Sequence, residues 1–232
     1  MIEVRTLRDG GQRADEVAGW IADFVAAAQR SLDLAHYDFH LKAETASIVG
    51  ETIVLERLLE RAPGANERLS LLAGSLDGAV AAIFRQVAMN RFEHAMHTAR
   101  REQGELSTDR FAELWLETQA DLLGDAVEPH DDYGIWWSYI PHFIDAPGYV
   151  YAYAYGNLLA LSVYRRYEKE GDGFVNSYLQ LLRAGGSRPP EELGRIVGVD
   201  LADPGFWSSG LDLVERQLEA AERAAEEAGR SG

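Results

Sequence analysis

Cysteine is missing from all 232 residues. Its absence excludes disulfides, thiolate metal sites and cysteine nucleophiles, and it fits a reducing compartment. Basic residues are few as well: 22 Lys plus Arg stand against 38 Asp plus Glu, a formal net charge of -16. Such a surface repels phosphate backbones and anionic lipid alike, so neither nucleic acid nor a membrane surface is an expected partner. The N-terminal MIEVRTLRDGGQ has no apolar signal-peptide core, and no run approaches the roughly 18 apolar residues of a spanning helix. What is present is 47% hydrophobic residues, ample for a core in one large domain or two small ones. The chain reads as a soluble, cytoplasmic protein.

The opening has a grammar of its own. Residues 2–11 (IEVRTLRDGG) read as a short strand ending in a Gly-Gly turn. Val17, Trp20, Ile21, Phe24, Val25 and Ala28 then fall on one face of a helix, and SLDLAHYDFHL (31–41) alternates as a strand. From Lys42 onward the pattern is helical. AETASIVGETIVLERLLER (43–61) carries a stripe of Ile48, Thr52, Leu55 and Leu59 and stops at Pro63-Gly64. A long helical region follows over 66–102, in which Gly74 and Gly78 offer close approach to a neighbour. Ser107 or Thr108 caps the next helix. Helices over 157–170 and 174–182 come next, the second closed by Gly185-Gly186. Pro189-Pro190 starts a short one, and Leu211, Val214, Leu218, Ala221 and Ala225 mark the last.

One stretch departs from simple helix packing. Residues 136–156, WWSYIPHFIDAPGYVYAYAYG, hold two tryptophans, five tyrosines, one histidine and two prolines. Rings with hydroxyls line an apolar cleft and still donate hydrogen bonds. His142 and Tyr149 lie seven residues apart across Pro147-Gly148, a spacing that lets a loop turn back and present both polar tips to one cleft. Tyr149, Tyr151, Tyr153 and Tyr155 alternate as on a strand; on a helix they would spread around most of its circumference.

The order AETASIVGETIVLERLL, FRQVAMNRFEHAMH, the helix after GELST, the aromatic stretch, YLQLLRAGGSRPPEELGRIVGVDLADP and the terminal helix resembles the C-terminal half of the oligoendopeptidase F family. These are helical, thimet-oligopeptidase-like zinc metallopeptidases, and the resemblance spans about residues 42–225. It implies a mainly α fold, a multi-helix bundle like the C-terminal part of that catalytic domain, preceded here by the strand-helix-strand segment. It also implies zinc as cofactor and short peptides as substrates. By the same resemblance Glu44, in Ala43-Glu44-Thr45-Ala46-Ser47, is the third zinc ligand. His142, Tyr149 and Tyr151, with Tyr153 beside them, face the substrate and stabilise the tetrahedral intermediate. Residues 1–41, with LRDGG and SLDLAHYDF, resemble the start of a phospholipase D-like domain, which places a domain boundary at 41 and leaves 42–232 as the helical domain.

The zinc helix of that family is not in this sequence. An HExxH helix supplies two imidazoles at i and i+4 and a glutamate that activates the metal-bound water. The six histidines are His36, His40, His94, His97, His130 and His142. Only His36 and His40 have the i, i+4 spacing, with Tyr37-Asp38-Phe39 between them and no general-base glutamate. On one helix His36, His40 and Glu44 span about 12 Å, too far for three ligands of one tetrahedral ion. His94 and His97, one turn apart, read either as a metal bridge or as a solvated pair, and Glu44 and Glu51 either as ligands or as helix-surface carboxylates. His142 reads either as a substrate contact or as a buried hydrogen-bonding residue. The expectation is therefore a partial metallopeptidase catalytic domain that is inactive alone. Against it stands a non-catalytic peptide-binding or scaffold domain, paired with itself or with an HExxH-bearing chain, or a recombined piece without an evolved role.

Overall fold

The computed structural model describes residues 36–125 and 127–229, with side chains from residue 47 onward. The strand, helix and Gly-Gly turn expected over residues 2–28 lie outside the described residues, as do residues 31–35. Residues 36–41, expected to end a strand, instead form the opening of helix α1 (His36–Arg61). That helix stops before Pro63-Gly64, and Gly64 takes an extended conformation ahead of α2 (Ala65–Ala79). The chain then passes without a break through a π-helical turn (Val80–Phe84) into α3 (Arg85–Gln103), which ends at Gly104 with φ 83°. A positive φ of this kind is tolerated by glycine and closes a helix.

Ser107 caps α4 (Thr108–Leu123), its hydroxyl accepting the Arg110 N–H at 3.2 Å. A 3-10 segment (Asp131–Tyr139) and the single turn α5 (His142–Asp145) lead to α6 (Tyr151–Glu170). Thereafter come α7 (Asp172–Ala184), α8 (Pro190–Ile196) with proline at its first position, and α9 (Pro204–Glu227). Among the described residues there is no strand.

Helix α6 is the axis of the bundle. It packs along α1 and α9, α9 in turn packs along α2, and α3 lies on α4, which carries the 3-10 segment. Small residues make the closest of these contacts: Ala160 is fully buried on α6, beside Val49 of α1 and Val163. A second core joins Ile83, Leu161, Tyr164, Leu213 and Val214. A third, of Met89, Phe92, Leu114, Trp115, Ile140, Phe143 and Val150, lies beneath the aromatic stretch. The close approach expected at Gly74 and Gly78 is not seen among the described residues: a Cβ at either would meet nothing within 4 Å. The continuous helix over Ala65–Gln103 meets, by length and composition alone, the criterion for crossing a membrane, with mean hydropathy 1.3 in its most apolar 18 residues. Here its flanks lie against α9 and α4.

Where α1, α6 and α9 meet, burial is felt by titratable groups. Burial, and after it the nearby carboxylates Glu56 and Glu168, push the Tyr164 phenol up from 10.0 to about 12, while Arg216 pulls the other way. A raised folded-state pKa means that the native state holds its proton where the unfolded chain has released it. The stabilisation is complete below pH 10 and is lost as the pH rises through about 12. Alkaline unfolding followed by circular dichroism is expected to show this loss in the wild type, and a visibly shallower pH dependence in Tyr164→Phe.

Candidate functional site

Two buried residues hold the site by being neighbours of two that are not. Phe143 and Val150 are 7% and 1% exposed and insert into the core of Phe92 and Trp115. The Phe92 ring meets Trp115 edge-on at 5.2 Å and Phe143 at 5.1 Å, arrangements that aromatic pairs favour. His142 precedes the first anchor and Tyr149 precedes the second, so both stand at the rim of the same core. Between them Gly148 adopts φ 78°, which folds the Pro147-Gly148 loop back upon itself as the spacing suggests.

The result is a cluster of three half-buried rings. His142 and Tyr149 stack with centroids 5.8 Å apart and planes 7° from parallel. Tyr153, on the first turns of α6, stands edge-on to both, at 5.5 Å from His142 and 5.4 Å from Tyr149. His142 Nε2 and the Tyr153 hydroxyl are hydrogen-bonded at 2.9 Å; which of the two donates follows the imidazole tautomer. Asn157, one turn further along, donates to the Tyr153 carbonyl at 3.2 Å. Phenol and imidazole tips meeting at one place can donate to a carbonyl oxygen.

Tyr151 is not part of this cluster in the same way. It begins α6 and is 52% exposed, and two residues before Tyr153 on a helix means about 200° of rotation away. Tyr155, two residues beyond, packs instead on Trp207 at 5.0 Å. The strand-like alternation of these tyrosines is thus resolved by a helix that sends Tyr153 to one side and Tyr155 to another.

Glu44 lies on α1, and its side chain is outside the described residues, as are those of His36 and His40. The backbone gives its level. Val49 shares a core with Ala160, and further along Glu56 is raised by the charge of Glu168, so α1 and α6 run parallel. Glu44 then stands about 7.5 Å before Val49, and Tyr153 about 10.5 Å before Ala160, at the same end of the pair. Glu51 is exposed and accepts the Ser47 hydroxyl at 3.0 Å. His94 is exposed, whereas His97 turns toward Glu93, its Nε2 3.7 Å from the carboxylate. Among the described residues no group of three His, Asp or Glu converges as metal ligands would. The described residues therefore do not by themselves fit zinc.

Sequence reasoning missed Glu93. It is 3% exposed inside the aromatic core, and one of its oxygens accepts the Gly148 N–H at 2.5 Å. The signal was available: Glu93 follows Met89 by four residues and precedes Met96 by three, and so lies on an apolar stripe.

Comparison with solved structures places this architecture. It superposes on the crystal structure of oligoendopeptidase-F from Enterococcus faecium with a TM-score of 0.75 and 29% identity, over 82% of this chain and 36% of that one. The all-helical fold of the described residues is thus that of the oligoendopeptidases. The chain belongs to peptidase family M3, whose family model matches residues 30–213. Oligopeptidase PepF of Bacillus subtilis is 31% identical over 78% of this chain and 27% of its own length. For the oligoendopeptidase F homolog of Borreliella burgdorferi the figures are 28%, 79% and 31%. The chain therefore spans between a quarter and a third of the length of these relatives. Because the family match begins at residue 30, it already covers the 31–41 segment, and the phospholipase D-like resemblance of residues 1–41 finds no support.

Proposed function

We propose that this chain carries the peptide-holding part of an oligopeptidase site, and that by itself it binds short peptides in the cytoplasm without cleaving them. The observation that supports this reading is the half-buried cluster in which Tyr149 stacks on His142 and Tyr153 is bonded to it. A peptide carbonyl entering beside these rings meets a phenol hydroxyl and an imidazole N–H, and aromatic faces exclude water from one side of it. Such donors, aimed where an oxyanion develops, contribute roughly 3 kcal/mol each in a working peptidase. In the family, zinc supplies the Lewis acid that polarises the carbonyl, with Glu44 as one ligand. The absence of an HExxH helix from the sequence supports a reading in which binding outlasts catalysis.

Titration of the full chain with a short peptide, followed by NMR, tests the proposal. Binding in the millimolar range is expected at the resonances of residues 142–153. His142→Ala is expected to weaken it about tenfold, as loss of one buried hydrogen-bonding group does. Tyr149→Phe and Tyr153→Phe should weaken it less, with no measurable change in thermal stability for Tyr149→Phe. An amide-hydrolysis assay, run with and without added zinc, should show no turnover. Peptide shifts confined to surfaces away from His142, or undiminished in His142→Ala, would reject the reading.

A further inference from the structure

A carboxylate buried among phenylalanine and tryptophan is unfavourable unless its oxygens are paired, yet Glu93 occupies that position with 3% exposure. One oxygen receives the Gly148 amide at 2.5 Å, with His97 Nε2 3.7 Å from the same oxygen. The other oxygen has no partner. A hydrogen bond to a charged group contributes roughly 1.5–3 kcal/mol, which does not offset desolvation of the whole group, and an apolar residue of similar volume would pack there at least as well. Stability alone does not account for Glu93. Its one strong bond goes to the residue at the hinge of the loop that joins His142 to Tyr149, and that residue has φ 78°.

We propose that Glu93 is a positioning residue: by holding the Gly148 amide it fixes the Pro147-Gly148 turn and thereby sets Tyr149 in register against His142. Phe143 and Val150 anchor the two ends of the loop in the core, and Glu93 fixes its middle. The consequence for peptide affinity rests on the function proposed above; the positioning itself does not.

The experiment uses the full chain with Glu93→Gln and Glu93→Met, observed by the amide resonance and hydrogen exchange of Gly148 and by the ring resonances of His142. In the wild type the Gly148 amide is expected to exchange slowly, because its partner is buried. Glu93→Gln keeps an acceptor and should keep the His142 and Gly148 resonances near their wild-type positions. Glu93→Met should hold or raise the melting temperature while shifting both resonances and weakening peptide binding about tenfold. That split, a sound fold with a displaced site, is what a merely structural glutamate would not produce. Unchanged His142 and Gly148 resonances in a folded Glu93→Met protein would overturn the proposal. Fast Gly148 exchange in the wild type would overturn it without any variant. If the resonances shift as expected but no peptide binds the wild type, the positioning stands and the peptide reading fails; if peptides bind both proteins equally with unshifted resonances, the reverse holds.

Discussion

Trp115→Ala is expected to lower stability by about 3–5 kcal/mol, the range for removing a large aromatic side chain from a core that closes only partly around the gap. Trp115 is 1% exposed and touches Phe92, Tyr133 and Phe143 at ring distances of 5.2, 5.8 and 6.4 Å. It therefore joins α3, α4, the 3-10 segment and α5 at one point. Its indole N–H has no hydrogen-bond partner, so Trp115→Phe breaks no bond and should retain most of the stability. Urea denaturation of both variants checks this. Equal losses in the two would show that contacts of the second indole ring, rather than the filling of the site by an aromatic group, dominate. Because Phe143 leans on the same core, the His142 resonances should shift in Trp115→Ala as well.

The second large effect concerns a glycine. A Cβ at Gly210 of α9 would stand 2.8 Å from Ser162 Oγ and 3.0 Å from the Leu158 carbonyl oxygen of α6. The first neighbour is itself fixed, since the Ser162 hydroxyl donates to the Phe206 carbonyl at 2.8 Å, and the second is backbone. The two helices must therefore separate, and Gly210→Ala is expected to cost about 1–3 kcal/mol and Gly210→Val more, as overpacked cores do. Gly74→Ala on α2 should do the opposite. With nothing within 4 Å of the new methyl, only the gain in helix propensity of about 0.5–1 kcal/mol remains. Thermal denaturation of the pair gives shifts of opposite sign; a destabilised Gly74→Ala would mean that a neighbour covers that face in solution.

These two glycines show where sequence reading succeeds and where it stops. Gly74 and Gly78 look like a contact surface because their spacing is that of one helix face, but spacing does not say whether a partner helix arrives. Gly210, in the plain run SSGLDL, gives no local sign, because its need for a missing side chain comes from α6, some fifty residues away. The helices were legible because apolar residues recur with helical period and because Pro63-Gly64, Ser107 and Gly185 punctuate them. His142, Tyr149 and Tyr153 were legible as residues of interest from the wording around Pro147-Gly148. That Tyr153, rather than Tyr151, joins the cluster depends on the helical phase of α6, which alternating tyrosines disguise as a strand. The short strand read over 31–41 failed at 36–41 for a related reason: a brief alternation of leucine and polar residues satisfies both periods, and the longer helix beyond it decides. Glu93 was overlooked because an acid between Phe92 and His94 looks like a solvated neighbour of two histidines until the stripe from Met89 to Met96 is traced.

The π-helical turn at Val80–Phe84 interrupts an otherwise continuous α-helix. A π turn is one residue more than an α-helix needs, and one residue is about 100° of azimuth. Before it, the helix aims Leu72 at the core; after it, the helix aims Met89, Phe92 and Glu93 at a different one. Ile83, within the turn, is fully enclosed against Leu161, Tyr164 and Leu213. Excising a single alanine from Val80-Ala81-Ala82-Ile83-Phe84 would straighten the rod, yet it would swing the whole downstream barrel of side chains by more than a quarter revolution. Phe92 and Glu93 would leave the interior, and the loop that carries Tyr149 would lose its tether. The extra residue thus works as a phase-setting spacer, an insertion accommodated within a helix rather than in a loop, and through it the orientation of the histidine–tyrosine cluster depends on a turn that contributes none of its atoms to it.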